Sequence, residues 1–202
     1  MNKNKGILVI LSGPSGVGKG TVIKKILETN SNIRLSVSAT TREKRAGEKD
    51  GETYFFYSKS KFLNLASSGK MLEYAEYCKN FYGTPKEPID YWLCDGKDVL
   101  LEIEVAGARQ VQNVIKNCVK IFLLPPSMKT LYNRLKERGT EPAEVINKRI
   151  LRAKEEICCC NSYDYLVINN NVSECVANVL AIIKAEKLKF SRMENHLEEV
   201  LG

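Results

Sequence analysis

Long hydrophobic runs are missing from this sequence. None of its 202 residues belongs to a stretch of the roughly 18 to 20 consecutive apolar residues that a membrane-spanning helix needs. The longest apolar run near the start, Ile7 to Leu11, is too short for the core of a secretory signal, and a glycine-rich loop follows it. We therefore expect a cytoplasmic protein with no membrane partner.

Histidine is almost absent, and the cysteines lack the spacing of a metal site. The chain has one histidine and seven cysteines, three of them consecutive at 158–160. Zinc sites use spacings such as C-x2-C, and neighbouring cysteines on a helix point in different directions. Because the cysteine number is odd and no export signal precedes them, we expect reduced thiols and no bound zinc.

Repeats, low-complexity blocks and long linkers are also lacking, so the length suits one domain with small appended lobes. The chain has 31 Lys and Arg against 24 Asp and Glu, a net charge of +7. Such a charge is compatible with nucleic acid, an acidic surface or small anionic ligands. The basic residues form no stripe with interleaved aromatics of the kind that binds single strands, which argues against a nucleic-acid partner.

Apolar runs alternate with amphipathic helical stretches along most of the chain. This alternation is typical of an α/β fold in which a parallel sheet is covered by crossover helices. The predicted strands are Gly6 to Ser12, Val99 to Val105, Val119 to Leu124 and Tyr165 to Ile168. The predicted helices are Lys19 to Thr29, about Ala106 to Lys116, and one long closing helix from Ser173, its N-cap, to about Glu198.

Two segments interrupt this alternation. Residues near 33–84 are rich in Thr, Tyr, Phe and Gly and predict a small, mostly β insertion. Residues near 128–155 predict two polar, arginine-rich helices hinged at Gly139. We interpret both as closing lobes, and expect segments near 38–84 and 130–152 to move as bodies when substrates bind.

A phosphate-binding loop follows the first predicted strand and opens the first predicted helix. Its glycines allow successive backbone N–H groups to turn towards phosphate oxygens, and its lysine reaches the β- and γ-phosphates. The G-x-x-x-x-G-K motif is formed by Gly13, Pro14, Ser15, Gly16, Val17, Gly18 and Lys19.

The residues after the lysine depart from the strict motif. A Ser or Thr normally follows the lysine directly and contacts Mg²⁺, but here Gly20 does so and Thr21 comes next. Thr21 is therefore our candidate for the magnesium contact, and both residues are assigned to the ATP site.

A second anion site is indicated by a Ser/Thr-rich segment. Arg42 and Arg45 lie three residues apart in it, a spacing suited to clamping a phosphate. The insertion also supplies phenol groups that can donate to phosphate. They belong to Tyr54, Tyr74, Tyr77 and Tyr82.

At this point the sequence resembles the guanylate kinases over nearly its whole length. The resemblance is carried by GPSGVGKGT, VSATTR, MLEYAEY, FYGTP, LLEIEVAGA, RGTE, NKRI and DYLVIN, in this order. It implies a P-loop fold with a three-layer core around a parallel sheet, an inserted mostly β nucleotide-binding lobe and a helical lid. The implied boundaries within the single domain 1–202 are about 1–36, 85–127 and 156–202 for the core, 37–84 for the GMP-binding lobe and 128–155 for the lid.

The resemblance also implies the activity. A guanylate kinase transfers the γ-phosphoryl group of MgATP to GMP in purine nucleotide metabolism, giving ADP and GDP. Mg²⁺ is the implied cofactor, and ATP and GMP, with dGMP as a further acceptor, are the implied partners. No nucleic acid, membrane or obligatory protein partner is expected.

Residue roles follow from matching positions of the family pattern. Ser38, Arg42, Arg45 and Tyr54 would hold the GMP phosphate with Tyr82 beside them, and Glu73 and Thr84 would read guanine with Gly83 and Glu104 nearby. Arg138 and Arg149 would act with Lys19 and Arg42 in catalysis, and Asn169 would lie by the adenine of ATP.

The family pattern usually reads Asp-Val-Gln-Gly where this chain has Glu104-Val105-Ala106-Gly107. These two departures concern the fine geometry near GMP, because Glu is longer than Asp and Ala cannot replace the hydrogen bonds of Gln.

Three alternatives stay open from the sequence. A non-catalytic guanylate-kinase-like module would bind partner peptides, but such modules have lost phosphate-loop residues that are intact here. A kinase acting on AMP or a pyrimidine nucleotide would differ in the acceptor lobe. A nucleic-acid-binding P-loop protein is suggested by net charge alone.

Overall fold

The computed structural model describes residues 5–137 and 142–202, with only the backbone described at 195–199. These residues form nine strands and eight α-helices. The strands are β1 (Leu8–Ser12), β2 (Ile33–Leu35), β3 (Ala39–Thr40), β4 (Phe55–Phe56), β5 (Met71–Tyr77), β6 (Asn80–Pro85), β7 (Asp98–Glu102), β8 (Val119–Leu124) and β9 (Tyr165–Ile168). The helices are α1 (Lys19–Thr29), α2 (Lys59–Ser67), α3 (Lys86–Cys94), α4 (Val105–Val114), α5 (Met128–Glu137), α6 (Ala143–Cys158), α7 (Val172–Lys187) and α8 (Phe190–Leu201).

Five strands form the larger sheet, in the order β2-β7-β1-β8-β9. β2 is parallel to β7, and β8 is parallel to β9. All five residues of β1 are buried, as expected for a strand covered on both faces, which is why it reads as a continuous apolar run. With a second, smaller sheet elsewhere in the chain, this architecture confirms the predicted α/β fold class.

The predicted core elements are confirmed with small shifts at their ends. α1, β8 and β9 have the predicted bounds, whereas β7 and α4 begin and end a few residues from the predicted positions. Cap geometry rather than periodicity sets such ends, so shifts of this size are ordinary.

The chain divides into two compact units. The first comprises residues up to Ile10 together with Asn32–Cys118, and the second comprises Leu11–Ser31 together with Val119–Gly202.

The first unit contains the smaller sheet, ordered β4-β3-β6-β5, in which β6 runs antiparallel to both β3 and β5. Ala39, Phe62 of α2 and Met71 form a buried cluster beneath it. This compact apolar cluster gives the four short strands and α2 a core of their own.

A tight hairpin joins the last two strands of this sheet. Tyr77 pairs with Asn80, so Cys78 and Lys79 alone make the turn. Their φ angles of 49° and 65° are left-handed, as a two-residue type I′ hairpin requires. Gly and Asn usually fill these positions, so the turn carries a small conformational cost that the paired strands offset.

In the second unit, α5 packs against α6. Leu131 and Leu135 of α5 and Ile146 and Ala153 of α6 form their buried contact. The prediction of two helices in this segment is thus confirmed, while its proposed hinge, Gly139, lies outside the described residues.

The prediction of a single closing helix that begins at the N-cap Ser173 is wrong. The structure has two helices, α7 and α8, and Asn171 caps α7 by accepting from the backbone N–H groups of Ser173 (2.8 Å) and Glu174 (3.1 Å). The break at Leu188 follows the buried Glu186. Its carboxylate forms an ion pair with Lys189 (2.5 Å) and accepts a hydrogen bond from the hydroxyl of Tyr165 (2.5 Å).

Glu186 is the last buried residue of α7 and makes several polar contacts beside the break. Burial opposes its ionisation, but hydrogen bonds from Lys189 and Tyr165 outweigh burial and hold the pKa of this carboxyl below its usual range. A tight turn takes over, with Leu188 N–H donating to the Ala185 carbonyl (3.0 Å). Helical periodicity does not predict such a break, because the residues on both sides of it favour helix.

Within the described ranges, no helix combines the length and apolarity that crossing a bilayer requires. The seven cysteines all lie in these ranges, and no disulfide joins them. No group of three or more His, Cys, Asp or Glu side chains suited to a metal occurs among the described residues.

Candidate active site

The glycine-rich loop joins β1, which ends at Ser12, to α1, which begins at Lys19. Gly18 has φ 99° and forms the N-cap position of α1. A Cβ atom built on Gly18 would lie 2.6 Å from Nδ2 of Asn169, so no larger residue fits. The first turn of α1 carries no acidic residue, and no side chain caps it at Gly18, so its N-terminal N–H groups and the positive end of its dipole suit an anion.

Lys19 folds back across this loop. Its ammonium group donates to the carbonyl oxygens of Gly13 (2.6 Å) and Pro14 (3.3 Å). These bonds hold a positive charge at the mouth of the loop, where it is able to turn from the carbonyls to a phosphate. The role of this lysine in binding phosphate stays a prediction.

Asn169 and Arg134 hold the other side of the loop. Nδ2 of Asn169 donates to the Val17 carbonyl (2.8 Å), and Arg134 donates to the same carbonyl (3.3 Å) and to the carbonyl of Asn169 (3.0 Å). Asn169 is almost fully buried, and its Oδ1 has no hydrogen-bond partner among the described residues. This leaves one buried acceptor beside the loop.

α5 packs directly on the loop as well. A Cβ atom on Gly16 would lie 2.7 Å from Cδ2 of Leu135 and 3.3 Å from Cδ1 of Leu131. Sequence reasoning considered only the charge of this segment and missed Arg134. The signal was available, because Arg134 lies between two leucines whose spacing marks the buried face of the helix.

The remaining predicted donor residues are placed unequally. Ser15, Gly20 and Thr21 are exposed, and Pro14 is buried. Arg149 is half-buried on α6, and Arg138 lies outside the described residues. Thr21 offers a solvent-facing hydroxyl in the first turn of α1, an oxygen ligand that fits a hard cation arriving with nucleotide phosphates.

In the first unit, Arg42 is held by Glu48. Its guanidinium makes a two-pronged ion pair with that carboxylate, at 3.0 Å and 2.7 Å, and stacks over the rings of Tyr54 (5.6 Å) and Phe56 (5.8 Å). The backbone N–H of Arg45 donates to the same carboxylate (2.8 Å). Glu48 therefore orders the segment from Arg42 to Glu48, which we call the arginine loop. Sequence reasoning missed this role.

Electrostatics agree with this geometry. Hydrogen bonds from Arg42, then from the Arg45 backbone, lower the pKa of Glu48 to about 2. The Glu48 carboxylate, with a hydrogen bond that Arg42 donates to the Tyr82 hydroxyl oxygen as a further contribution, raises the pKa of Arg42 above its usual value. The arginine is thus fixed as a cation and pre-oriented before any phosphate binds.

The second predicted group in this unit centres on Glu73 and Thr84. They face each other across β5 and β6, and the Thr84 hydroxyl donates to Oε1 of Glu73 (2.7 Å). Burial raises the pKa of Glu73, as does the nearby charge of Glu104, while the bond from Thr84 opposes the rise. A half-buried carboxylate of this kind is suited to recognising a neighbouring pair of N–H donors.

The hydroxyl of Thr84 donates to Glu73 in this structure. Donation to guanine O6 would need the same proton, because a hydroxyl has only one. Its oxygen lone pairs are the groups it would offer a base while that bond persists.

β6 connects the two groups. Tyr82 and Thr84 alternate along this strand and so share one face of the sheet. Gly83 between them lets β5 approach, since a Cβ there would lie 2.5 Å from the Glu73 carbonyl. Ser38 contributes through its backbone, accepting from the Phe55 N–H (2.8 Å), and Glu104 is the exposed N-cap residue of α4.

Comparisons with known proteins agree with this arrangement. The model of the guanylate kinase family matches residues 5–186. A guanylate kinase of Oceanobacillus iheyensis is 48% identical over 201 residues, covering 100% of this chain and 98% of that protein. One from Clostridioides difficile is 50% identical over 195 residues, covering 96% and 95%.

A solved structure is also similar to this chain. The crystal structure of guanylate kinase from Anaplasma phagocytophilum superposes with a TM-score of 0.73 at 37% identity, covering 95% of this chain and 92% of that one. With the matching phosphate loop and the paired Glu73 and Thr84 already in view, these similarities show that the chain belongs to the guanylate kinase family.

Proposed function

We propose that this protein is an ATP:GMP phosphotransferase. It moves the γ-phosphoryl group of MgATP to GMP and releases ADP and GDP, a step of purine nucleotide metabolism and GMP recycling. The observation that carries the proposal is the intact phosphate loop with Lys19 folded across it, in a chain of this family. A cytoplasmic location stays a prediction.

The donor is held by the loop from Gly13 to Thr21. Its backbone N–H groups and the Lys19 ammonium bind the β- and γ-phosphates of ATP. Asn169 lies beside this loop with an unused acceptor, which supports its assignment to the adenine end of ATP. Arg134 keeps both in place by bonding the carbonyls of Val17 and Asn169.

Thr21 would be the protein ligand of a Mg²⁺ ion bound together with ATP, because its hydroxyl is an oxygen donor of the kind that this ion prefers. The bound ion would supply positive charge that neutralises the phosphates of ATP.

The acceptor phosphate is held by the arginine loop. Arg42 and Arg45, with Ser38, Tyr54 and Tyr82, bind the phosphate of GMP and offset the repulsion between two anionic substrates. A phosphate oxygen of GMP forms the new bond to the γ-phosphorus, and the bond from that phosphorus to the β,γ-bridging oxygen breaks. The bonding electrons leave with ADP.

Arg138 and Arg149 would add positive charge to the transferring group. Little covalent chemistry falls to the protein, so positioning and charge stabilisation supply the rate. Lobe closure, with the boundaries proposed above, would exclude the water that otherwise hydrolyses ATP.

Base choice rests on Glu73. Guanine presents the ring N1–H and the exocyclic amino group side by side, and a carboxylate accepts from both. Adenine has an acceptor at ring N1, which would face the carboxylate with a lone pair. Thr84 and Gly83 shape this site, with Glu104 nearby. Use of dGMP as a second acceptor stays a prediction.

A substrate panel tests the proposal. The protein would be incubated with MgATP and each of GMP, dGMP, AMP, UMP and CMP, and products separated by chromatography. We expect GDP and ADP in equal amounts, and ATP consumption that depends on GMP. GMP-independent hydrolysis, or no turnover with any acceptor, would favour a non-catalytic module, and a preference for AMP or a pyrimidine nucleotide would favour another kinase.

A further inference from the structure

The outer edge of β5 is where the smaller sheet meets α4. β5 is an edge strand of the order β4-β3-β6-β5, with β6 as its one strand neighbour. Tyr74 pairs with Gly83, and its backbone N–H and carbonyl both bond to a side chain of α4. Edge groups of this kind otherwise bond to water or to another chain.

That side chain is Gln110. Its Oε1 accepts from the Tyr74 N–H (3.1 Å), and its Nε2 donates to the Tyr74 carbonyl (3.1 Å). A carboxamide is the one side-chain group that offers a donor and an acceptor side by side like a peptide unit. The carboxamide of Gln110 thus makes the two hydrogen bonds to Tyr74 that the backbone of a neighbouring strand would otherwise make.

The same face of α4 touches the next residue of β5. Gly107 lies one helical turn before Gln110, so the two share a face of the helix. A Cβ atom on Gly107 would lie 3.0 Å from Oε2 of Glu73. One helix turn therefore fixes the main chain of residue 74 and borders the carboxylate of residue 73.

A register irregularity makes this contact consequential. Between Met71 and Glu73 the pairing of β5 with β6 shifts, so the regular ladder begins only at Glu73, with Tyr74 as its second residue. The Thr84 bond holds Oε1 of Glu73, and α4 borders Oε2. The carboxylate of Glu73 thus lies between β6, which donates a hydrogen bond to one of its oxygens, and α4, which packs close to the other.

We propose that Gln110 is a positioning residue for guanine recognition. It holds β5 at Tyr74 so that the carboxylate of Glu73 stands at a fixed distance from Thr84 and from the first turn of α4. The proposal rests on the proposed function, in which Glu73 reads the base.

Gln110→Met tests the idea, because methionine keeps the length of the side chain but loses both hydrogen bonds. We expect the KM for GMP to rise roughly five- to tenfold, with kcat and the KM for ATP nearly unchanged, because uniform binding of one substrate is weakened. Gln110→Glu keeps the acceptor and loses the donor, so its KM should lie between those of the wild type and Gln110→Met. Gln112→Met on the same helix is the matched control, since no side-chain hydrogen bond joins Gln112 to β5 within the described residues.

A second readout separates positioning from general stability. Hydrogen exchange of the Tyr74 amide should accelerate in Gln110→Met, while the melting temperature stays close to that of Gln112→Met. A KM for GMP unchanged in Gln110→Met despite faster exchange would overturn the proposal. A loss of kcat and of ATP affinity together with a lower melting temperature would also overturn it, because that is the signature of a merely structural role.

A double-mutant cycle distinguishes this inference from the function on which it rests. If Gln110 acts through Glu73, Gln110→Met should raise the KM for GMP much less in a Glu73→Gln background than in the wild type. Equal effects in both backgrounds would refute coupling through Glu73. An unchanged KM for GMP in Glu73→Gln alone would instead refute Glu73 as the base reader, whatever Gln110 does.

Discussion

The proposed donor and acceptor sites of this protein differ in how they are built. The proposed donor site is a short loop, Gly13–Lys19, that offers backbone N–H groups and one lysine. The proposed acceptor site relies mainly on side chains of residues spread from Arg42 to Glu104 across the smaller sheet and the segments beside it. A backbone site depends on the conformation of one loop, whereas a side-chain site depends on how several strands are placed, so the two should fail differently when mutated.

The largest expected effect is at the charge of the donor loop. Lys19→Ala should lower kcat by roughly 10²- to 10³-fold or more, because a charged contact to the transferring phosphates is lost in a site that excludes water. We expect the fold to survive, since Lys19 is only partly buried and water can satisfy the carbonyls of Gly13 and Pro14 after truncation. Steady-state kinetics and a melting curve would check both.

Lys24→Ala is the matched control for this variant, because Lys24 is exposed on the same helix. Turnover of Lys19→Ala close to that of Lys24→Ala would contradict the assignment of Gly13–Lys19 as the donor site.

The acceptor site should lose specificity instead of turnover. Glu73→Gln replaces one acceptor by a donor, which then faces a donor of guanine, so kcat/KM for GMP should fall roughly 100-fold while the KM for ATP stays constant. Glu76→Gln, an exposed carboxylate on the same strand, serves as control. If Glu73→Gln kept the full preference for GMP over AMP, Glu104 would become the next candidate for the base reader.

A pH dependence should distinguish the two carboxylates of the acceptor site. Glu73 has a raised pKa, and guanine needs its ionised form, so the KM for GMP should rise as pH falls through that pKa, by about tenfold per pH unit below it. Glu48, with a pKa of about 2, stays ionised over the same range and keeps Arg42 in place. The KM of Glu73→Gln should therefore be flat across this pH range, and a parallel rise in that variant would assign the titration to another group.

The contrast between the sites also explains what sequence alone predicts. The phosphate-binding loop could be predicted because its glycines, its lysine and the flanking strand and helix are contiguous in sequence. The bond from Thr84 to Glu73, the clamp of Glu48 on Arg42 and the contact of Gln110 with Tyr74 join residues that lie 11, 6 and 36 positions apart. Such contacts depend on strand register and helix placement, which periodicity does not specify.

The end of α7 gives the same lesson within the fold. Neither glycine nor proline occurs between residues 173 and 198, so the pattern predicts one continuous helix, whereas α7 ends at Lys187 and α8 begins at Phe190. Local pattern thus predicts that helix forms here but not where it breaks, and the break lies next to Glu186, whose carboxylate contacts Lys189 and Tyr165.

An intermediate effect is expected at Arg149. If its charge acts on the transferring group, Arg149→Ala should lower kcat about tenfold and leave the dissociation constants of both substrates near normal. Arg152→Ala is the control on the same helix, where Arg152 pairs with Glu156 at 3.2 Å. Equal kcat values for the two variants would mean that Arg149 supports only the helix surface. Arg138 would be tested in the same way.

The smallest expected effect concerns the hydroxyl of Thr21, where the donor loop departs from its usual form. Thr21→Val preserves the shape of the side chain and removes the oxygen, so the Mg²⁺ concentration needed for half-maximal activity should rise only a few-fold, because phosphate oxygens and water supply most of the ligands. Gly20 is exposed, and a Cβ built there meets no atom within 4 Å, so a serine fits at the position directly after Lys19. Gly20→Ser added to Thr21→Val should therefore restore the magnesium requirement, whereas Gly20→Ala added to it should not. Recovery with alanine as well would show that helix stability, which a residue other than glycine raises by about 0.5–1 kcal/mol, limits the variant, and that the hydroxyl is not a ligand.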